Sequence, residues 1–172
     1  MQNLNKKFLI IVAALLLGVG WVIHLSSNKL PEEVVNQSLH PDHELMTKFE
    51  YLSQNGNSSC SLSFKESIPQ MSDGAKLQGS CCSQMSMHRY SEQVTGLKKY
   101  APIPEIPPDP YDIEAKLAKM LLAHYDDELS ADQQKAYDLA MQNSSEKGPC
   151  CCKCWRWYVY GGLGKILIKD YG

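Results

Sequence analysis

Gly148-Pro149-Cys150-Cys151-Cys152-Lys153-Cys154-Trp155-Arg156-Trp157-Tyr158-Val159-Tyr160-Gly161-Gly162-Leu163-Gly164 is the stretch on which the fold turns. It reads either as the opening of a long helix or as a strand at Trp155 to Tyr160 followed by a turn. Proline is favoured at the first helical position. The three glycines each cost roughly 1 kcal/mol against alanine in a helix interior, a cost that close packing on another helix would offset. We read a helix entered at Gly148-Pro149. Cysteines in its first turn would sit beside free backbone N–H groups and the positive end of the helix dipole, which favours thiolate, the nucleophilic and metal-binding form. On such a helix Cys151 and Cys154 share a face, as do Cys150 and Cys154, while adjacent cysteines point apart.

This run holds four of the chain's seven cysteines. Whether those thiols meet an oxidising or a reducing compartment depends on the amino terminus. Phe8 to Leu25 (FLIIVAALLLGVGWVIHL) carries no formal charge and follows Lys6 and Lys7. Its length suits a bilayer-spanning helix, and the lysines suit a cytoplasmic amino terminus. An uncleaved anchor at residues 1–27 is therefore expected, placing the remainder outside the cytoplasm as a single-pass cell-membrane protein. The competing reading is a cleaved signal peptide and a secreted or periplasmic product. His24 falls in the last turn of the span, at the interface. Disulfides persist in exported compartments, and an odd cysteine count leaves at least one thiol free, metal-bound or paired with another chain. The net charge of −2 and the lack of a basic stripe argue against nucleic acid.

The remainder reads as mainly α: a polar linker at 28–40, then a small Cys-rich helical domain at 41–172 crossed by a Pro-rich strap. Leu45, Met46, Phe49 and Leu52 recur at helical spacing from Pro41 to Gln54. His40 and His43, at the helix entrance, read as exposed. Residues 55–80 read as a loop or small hairpin carrying Cys60, with a strand-like piece at Ser61 to Phe64. A helix is expected from Ser80 or Cys81 to Tyr100. It is followed by APIPEIPPDP at 101–110, too rich in proline for a helix and stiff enough to pack as a strap. A helix from Tyr111 to Tyr125 would align Ile113, Leu117, Leu121 and His124. Another, capped by Ser130, would run to Gln142 with Ala136, Leu139 and Ala140 inward. Asp126, Asp127 and Glu128 lack calcium-loop spacing and read as a solvated turn.

A second constellation is Cys81-Cys82-Ser83-Gln84-Met85-Ser86-Met87-His88. On a helix, Cys81, Met85 and His88 would form one stripe of thiol, thioether and imidazole. Sulfur donors select Cu(I) and related ions, and imidazole suits copper and zinc. The alternative is that the methionines pack in a core and Cys81 or Cys82 forms a disulfide with the later run. Two words, CCSQMSMHRYSEQV and GPCCCKCWRWYVYGG, resemble those of a family of exported prokaryotic proteins over most of residues 80–172. The resemblance implies export and supplies no activity. Members of that family continue past the position of Asp170-Tyr171-Gly172 with another helix and a further cysteine, so the resemblance implies a capping element or a ligand that this sequence lacks.

Three functions are compatible with these residues. The first is a membrane-tethered extracytoplasmic protein binding copper or zinc through Cys81, Cys82, Met85, His88, Cys150, Cys151, Cys152 and Cys154, with an exported protein as a candidate partner. The second is a disulfide-stapled interaction module, in which Cys60, Cys81, Cys82 and the late run would cross-link the small domain and Trp155, Trp157, Tyr158 and Tyr160 would be core or binding patch. The third is a thiol-disulfide oxidoreductase using Cys151 and Cys154, although that motif belongs near a strand-helix unit. Phosphate-cradling, nucleophile-elbow and His-Glu-x-x-His words are missing from the sequence. A Cys-His hydrolase built on Cys81 or Cys82 and His88 would lack an orienting third group. The metal-binding reading is preferred, and an enzyme is not.

Overall fold

The computed structural model describes residues 41–172; the apolar segment Phe8–Leu25, its His24, and the linker with His40 lie outside the described residues. Six α-helices and one two-stranded sheet make up the described part. Helix α1 is Pro41–Gln54, α2 Phe64–Ser67, α3 Met87–Leu97, α4 Ala115–Ala123, α5 Ala131–Asn143 and α6 Trp155–Tyr171, with short 3-10 turns at Ile68–Gln70 and Lys98–Tyr100. Strands β1, Lys76–Gln78, and β2, Asp112–Glu114, pair antiparallel with Leu77 opposite Ile113. The architecture is mainly helical, as the periodicities indicate. No helix among the described residues is long and apolar enough to cross a membrane.

The long terminal segment is helical, not a strand, and it forms the centre of the domain. Trp155, Arg156, Tyr158, Val159, Gly161, Gly162 and Ile166 are all buried along α6, so the helix is covered on several sides, as an apolar helix inside a core must be. Its main neighbour is α4, which contributes Ala118, Leu121 and Leu122 to the core that also takes in Ile68, Leu77 and Ile113. Gly162 explains the closeness of this crossing. A Cβ there would stand 1.9 Å from the Leu121 carbonyl oxygen, inside any van der Waals contact, so only glycine lets the two backbones approach.

Several boundaries differ from those the sequence suggests. The helix does not begin at Pro149; Cys150 to Lys153 form bends and Cys154, with extended backbone, is the residue before the first turn. The second Cys-bearing helix starts at Met87 behind an extended Ser86, leaving Cys81 to Gln84 irregular. A helix would send neighbouring side chains about 100° apart, whereas bent backbone lets adjacent thiols converge. Ser61 to Phe64 is not strand-like, since Phe64 opens α2. The helix drawn from Tyr111 starts at Ala115 because residues 112–114 pair with β1 and carry Ile113 into the core. Three-residue strands are too short to show a two-residue period against helical neighbours. Ser130 caps α5 in a full capping box with Gln133. Its inward face is nevertheless Tyr137 and Met141, while Ala136, Leu139 and Ala140 are exposed.

The proline-rich stretch is a packed strap. Pro107 is buried, the Asp109 carboxylate accepts from Tyr90 Oη at 2.8 Å, and the Pro110 carbonyl accepts from Tyr160 Oη at 2.6 Å. Helix α1 joins the same side, with Phe49 5.9 Å from the Tyr90 ring and Lys48 paired to Asp112. Leu52 is its buried anchor, and Met46 is largely exposed.

Candidate metal centre

Three segments distant in sequence bring sulfur atoms to one place. The first carries Cys60. Beyond α1 the chain turns at Asn55-Gly56 and runs beside β1: Asn57 N–H donates to the Gln78 carbonyl at 3.1 Å, and Asn57 Nδ2 to the Lys76 carbonyl at 2.7 Å. The Ser58 hydroxyl donates to Gln78 O at 2.6 Å and accepts from the buried Trp155 Nε1 at 2.5 Å. Cys60 thus hangs two residues from an anchor in the core.

The second segment carries Cys81 and Cys82. Gly79 has φ +76°, and a Cβ there would stand 2.5 Å from Gly56 Cα. This left-handed, crowded position requires glycine. It swings the chain out of β1 so that both thiols face the third segment, Cys150 to Cys154. Arg156 locks the second and third segments together. Its Nη2 donates to Gly79 O at 2.6 Å and its Nε to Pro110 O at 3.3 Å. Its plane lies over the Tyr111 and Trp155 rings.

The sulfurs form two overlapping groups. In the first, Cys60, Cys81, Cys82 and Cys152 have their Sγ atoms within 4.8 Å of one another. The Cys60–Cys82 separation is 3.0 Å, Cys82–Cys152 2.9 Å, Cys60–Cys152 3.3 Å, Cys81–Cys82 3.3 Å and Cys81–Cys152 3.4 Å. The second group is Cys81, Cys150, Cys151 and Cys152, under the same limit. Cys154 lies behind both, fully buried, with its Sγ 3.6 Å from that of Cys150. All seven cysteines are free thiols, and these separations exceed the roughly 2.05 Å of a disulfide. A tetrahedral ion with metal–sulfur bonds of about 2.3 Å needs sulfurs about 3.8 Å apart, so the first group, at 2.9 to 3.4 Å, would have to open by roughly 0.4 to 0.9 Å to take one.

The thiols are not electrostatically equivalent. Cys150 is held down to about 5, chiefly because Cys154 donates an S–H to it; burial opposes this, while the Cys152 backbone N–H and the Arg156 guanidinium reinforce it. Cys154 is pushed far up by the same hydrogen bond and by its burial. Burial raises Cys152 to about 11 and drives Cys81 higher still. Cys60 is also lowered, by hydrogen bonds from Cys82 and Cys152, so thiols that give up their protons readily sit beside Cys81 and Cys152, which hold theirs.

Of the six cysteines singled out from the sequence as ligands, Cys81, Cys82, Cys150, Cys151 and Cys152 come together and Cys60 joins them, while Cys154 stands behind, against Cys150. In the sequence Cys60 reads as a cross-link of the stapled module and not as a metal ligand, because it stands alone in a polar loop. The helical stripe of Cys81, Met85 and His88 does not form, because Ser86 begins the helix and leaves Cys81 outside it. Met85 lines a cavity of about 440 Å³ with Cys81, Cys150, Cys151, Arg89 and Arg156. His88 is exposed on α3 and belongs to neither sulfur group. In the Cys151-x-x-Cys154 word, Cys154 meets Cys150. Trp155 and Tyr158 are core residues, with Trp157 and Tyr160 half-buried beside them.

No protein-family model, curated protein or solved structure matches the chain. The geometry of the site therefore carries the functional argument. It offers a cluster of cysteines close enough to hold a metal ion.

Other features of the described residues have structural roles. His124 ends α4 and hydrogen-bonds through Nδ1 to Asp127 at 2.9 Å. Asp127 also pairs with Lys169 at 2.8 Å, and Asp126 with Lys65 at 2.7 Å, so the acidic turn fastens α2 and α6. His43 is exposed.

Proposed function

We propose that the chain is a membrane-tethered, extracytoplasmic protein that binds a soft metal ion, zinc or Cu(I), through its clustered cysteines. The observation that carries this reading is the convergence of sulfurs from residues 60, 81–82 and 150–152 in two groups of four, each within 4.8 Å, with neighbouring sulfurs of Cys60, Cys81, Cys82 and Cys152 at 2.9 to 3.4 Å. Sulfurs about to pair as disulfides would be grouped two by two. Near-equal spacing among four of them is the pattern of ligands around a common centre. Thiolate donors select zinc, Cu(I) and related ions over magnesium or calcium. Lys6-Lys7 with the apolar run Phe8–Leu25 supports an exported setting. The cavity beside Cys81, Cys150 and Cys151 supplies a route for an incoming ion, with the Met85 thioether as a soft donor at its wall.

The test is metal analysis and a free-thiol count on the full-length chain, purified in detergent under reducing, anaerobic conditions. Stoichiometric zinc or copper, lost when Cys81 and Cys152 become serine, supports the reading. Absence of bound metal after incubation with either ion, with the thiols instead consumed in disulfides, would sink it in favour of a stapled interaction module.

A further inference from the structure

The two sulfur groups share two members. Cys81 and Cys152 belong to both; Cys60 and Cys82 complete one group, Cys150 and Cys151 the other. Resting on the metal-binding reading, we propose that the site holds two ions of the zinc class in one thiolate cluster, bridged by the sulfurs of Cys81 and Cys152.

The ligand count argues for this arrangement. A four-coordinate ion takes four sulfurs, so a single ion bound by Cys60, Cys81, Cys82 and Cys152 leaves Cys150 and Cys151 crowded against it without a role. Two separate four-coordinate ions would require more cysteines than the chain has. Two ions sharing an edge need six, the number in the combined groups. The shared edge is the Cys81–Cys152 pair, whose sulfurs lie 3.4 Å apart between the other two pairs. A thiolate sulfur has lone pairs enough to bind two cations at once.

The arrangement also accounts for the seventh cysteine. Cys154 is absent from both groups and has no solvent exposure. Its sulfur approaches Cys150 at 3.6 Å from the core side. It serves as a hydrogen-bond donor that orients a ligand, as partners behind metal ligands do. Charge adds support. Six thiolates around two divalent ions leave two negative charges, and the buried Arg156 lines the cavity beside Cys150 and Cys151. Its own N–H bonds go to the carbonyls of Gly79 and Pro110, leaving its cationic charge free to balance the cluster.

The test loads the reduced full-length chain with Zn(II) or Cd(II) alone and counts ions per chain by native mass spectrometry. Two ions are expected for the wild type and one for Cys60→Ser. Cadmium NMR with a spin-active isotope, run on the unaltered chain, should give two resonances split by coupling through the shared sulfurs. Because it needs no substitution, loss of folding in a variant cannot obscure the answer. One ion per chain, or two uncoupled resonances, overturns the bridged cluster while leaving a single-site metal protein. No bound ion overturns the metal-binding reading itself.

Discussion

Arg156 donates to the carbonyl of Gly79 across 2.6 Å, tying the turn that precedes Cys81 to the helix that follows Cys154. The bond matters because the sulfur cluster is only as ordered as the segments that present it. Lysine keeps the charge but cannot serve the Gly79 and Pro110 carbonyls with one planar fork. Arg156→Lys should therefore weaken zinc binding by about 10- to 100-fold, the usual range for a group supporting metal ligands. Competition against a chromophoric chelator measures this, and unchanged affinity would remove Arg156 from the site.

Gly162 and Gly96 make opposite predictions for the same substitution. At Gly162 an alanine Cβ meets the Leu121 backbone at 1.9 Å, whereas at Gly96, within α3, nothing lies within 4 Å. Gly162→Ala should destabilise by about 3 kcal/mol or more, the upper range for overpacking, because a backbone oxygen cannot rotate away. Gly96→Ala should stabilise by about 0.5–1 kcal/mol through helix propensity. Urea midpoints of the two variants should fall on opposite sides of wild type.

Ser58→Ala should couple stability to the site. It leaves the buried indole N–H of Trp155 without its acceptor, a loss of about 1–3 kcal/mol. It also frees the irregular segment that carries Cys60. Reduced stability accompanied by faster alkylation of Cys60 in the metal-free chain is the expected pair of results. Stability loss with unaltered Cys60 reactivity would show that Ser58 supports only the core.

Metal binding should release protons and strengthen with pH. Burial holds Cys152 near about 11 and Cys81 above that, so both carry protons at neutral pH and a bound ion must displace them. Zinc affinity should fall as pH drops from about 8 to 6. Because the ion binds the folded chain, saturating zinc should raise the melting temperature and a chelator should lower it. A pH-independent affinity would exclude these thiols as ligands.

Asp127 should contribute to acid sensitivity. Lys169 and His124, as hydrogen-bond partners, hold its carboxyl down to about 2 from 3.8. A depressed carboxyl adds stability that is fully present above the unfolded value and is lost as pH falls through the folded one. Asp127→Asn should therefore lower the urea midpoint of the metal-free chain at pH near 5.5. The gap to wild type should close toward pH 2.

The sequence by itself determined the helical class, the Ser130 cap and the strap at 101–110, and it favoured a glycine-bearing helix over a strand for what became α6. Each of these follows from local geometry: proline restriction, a side chain reaching its own backbone, or apolar residues at helical spacing. It also singled out six of the cysteines as ligands of one site, because thiols so dense serve little purpose in packing. Only the tertiary structure decided which thiols meet and how. Gly79 turns left-handed against Gly56, and Ser58 finds Trp155 97 positions away. Cys60 thereby enters the cluster and Cys154 withdraws behind it. Those placements depend on contacts between distant segments, and the helical stripe of Cys81, Met85 and His88 gave way to them because bent backbone lets adjacent sulfurs converge where a helix would splay them apart.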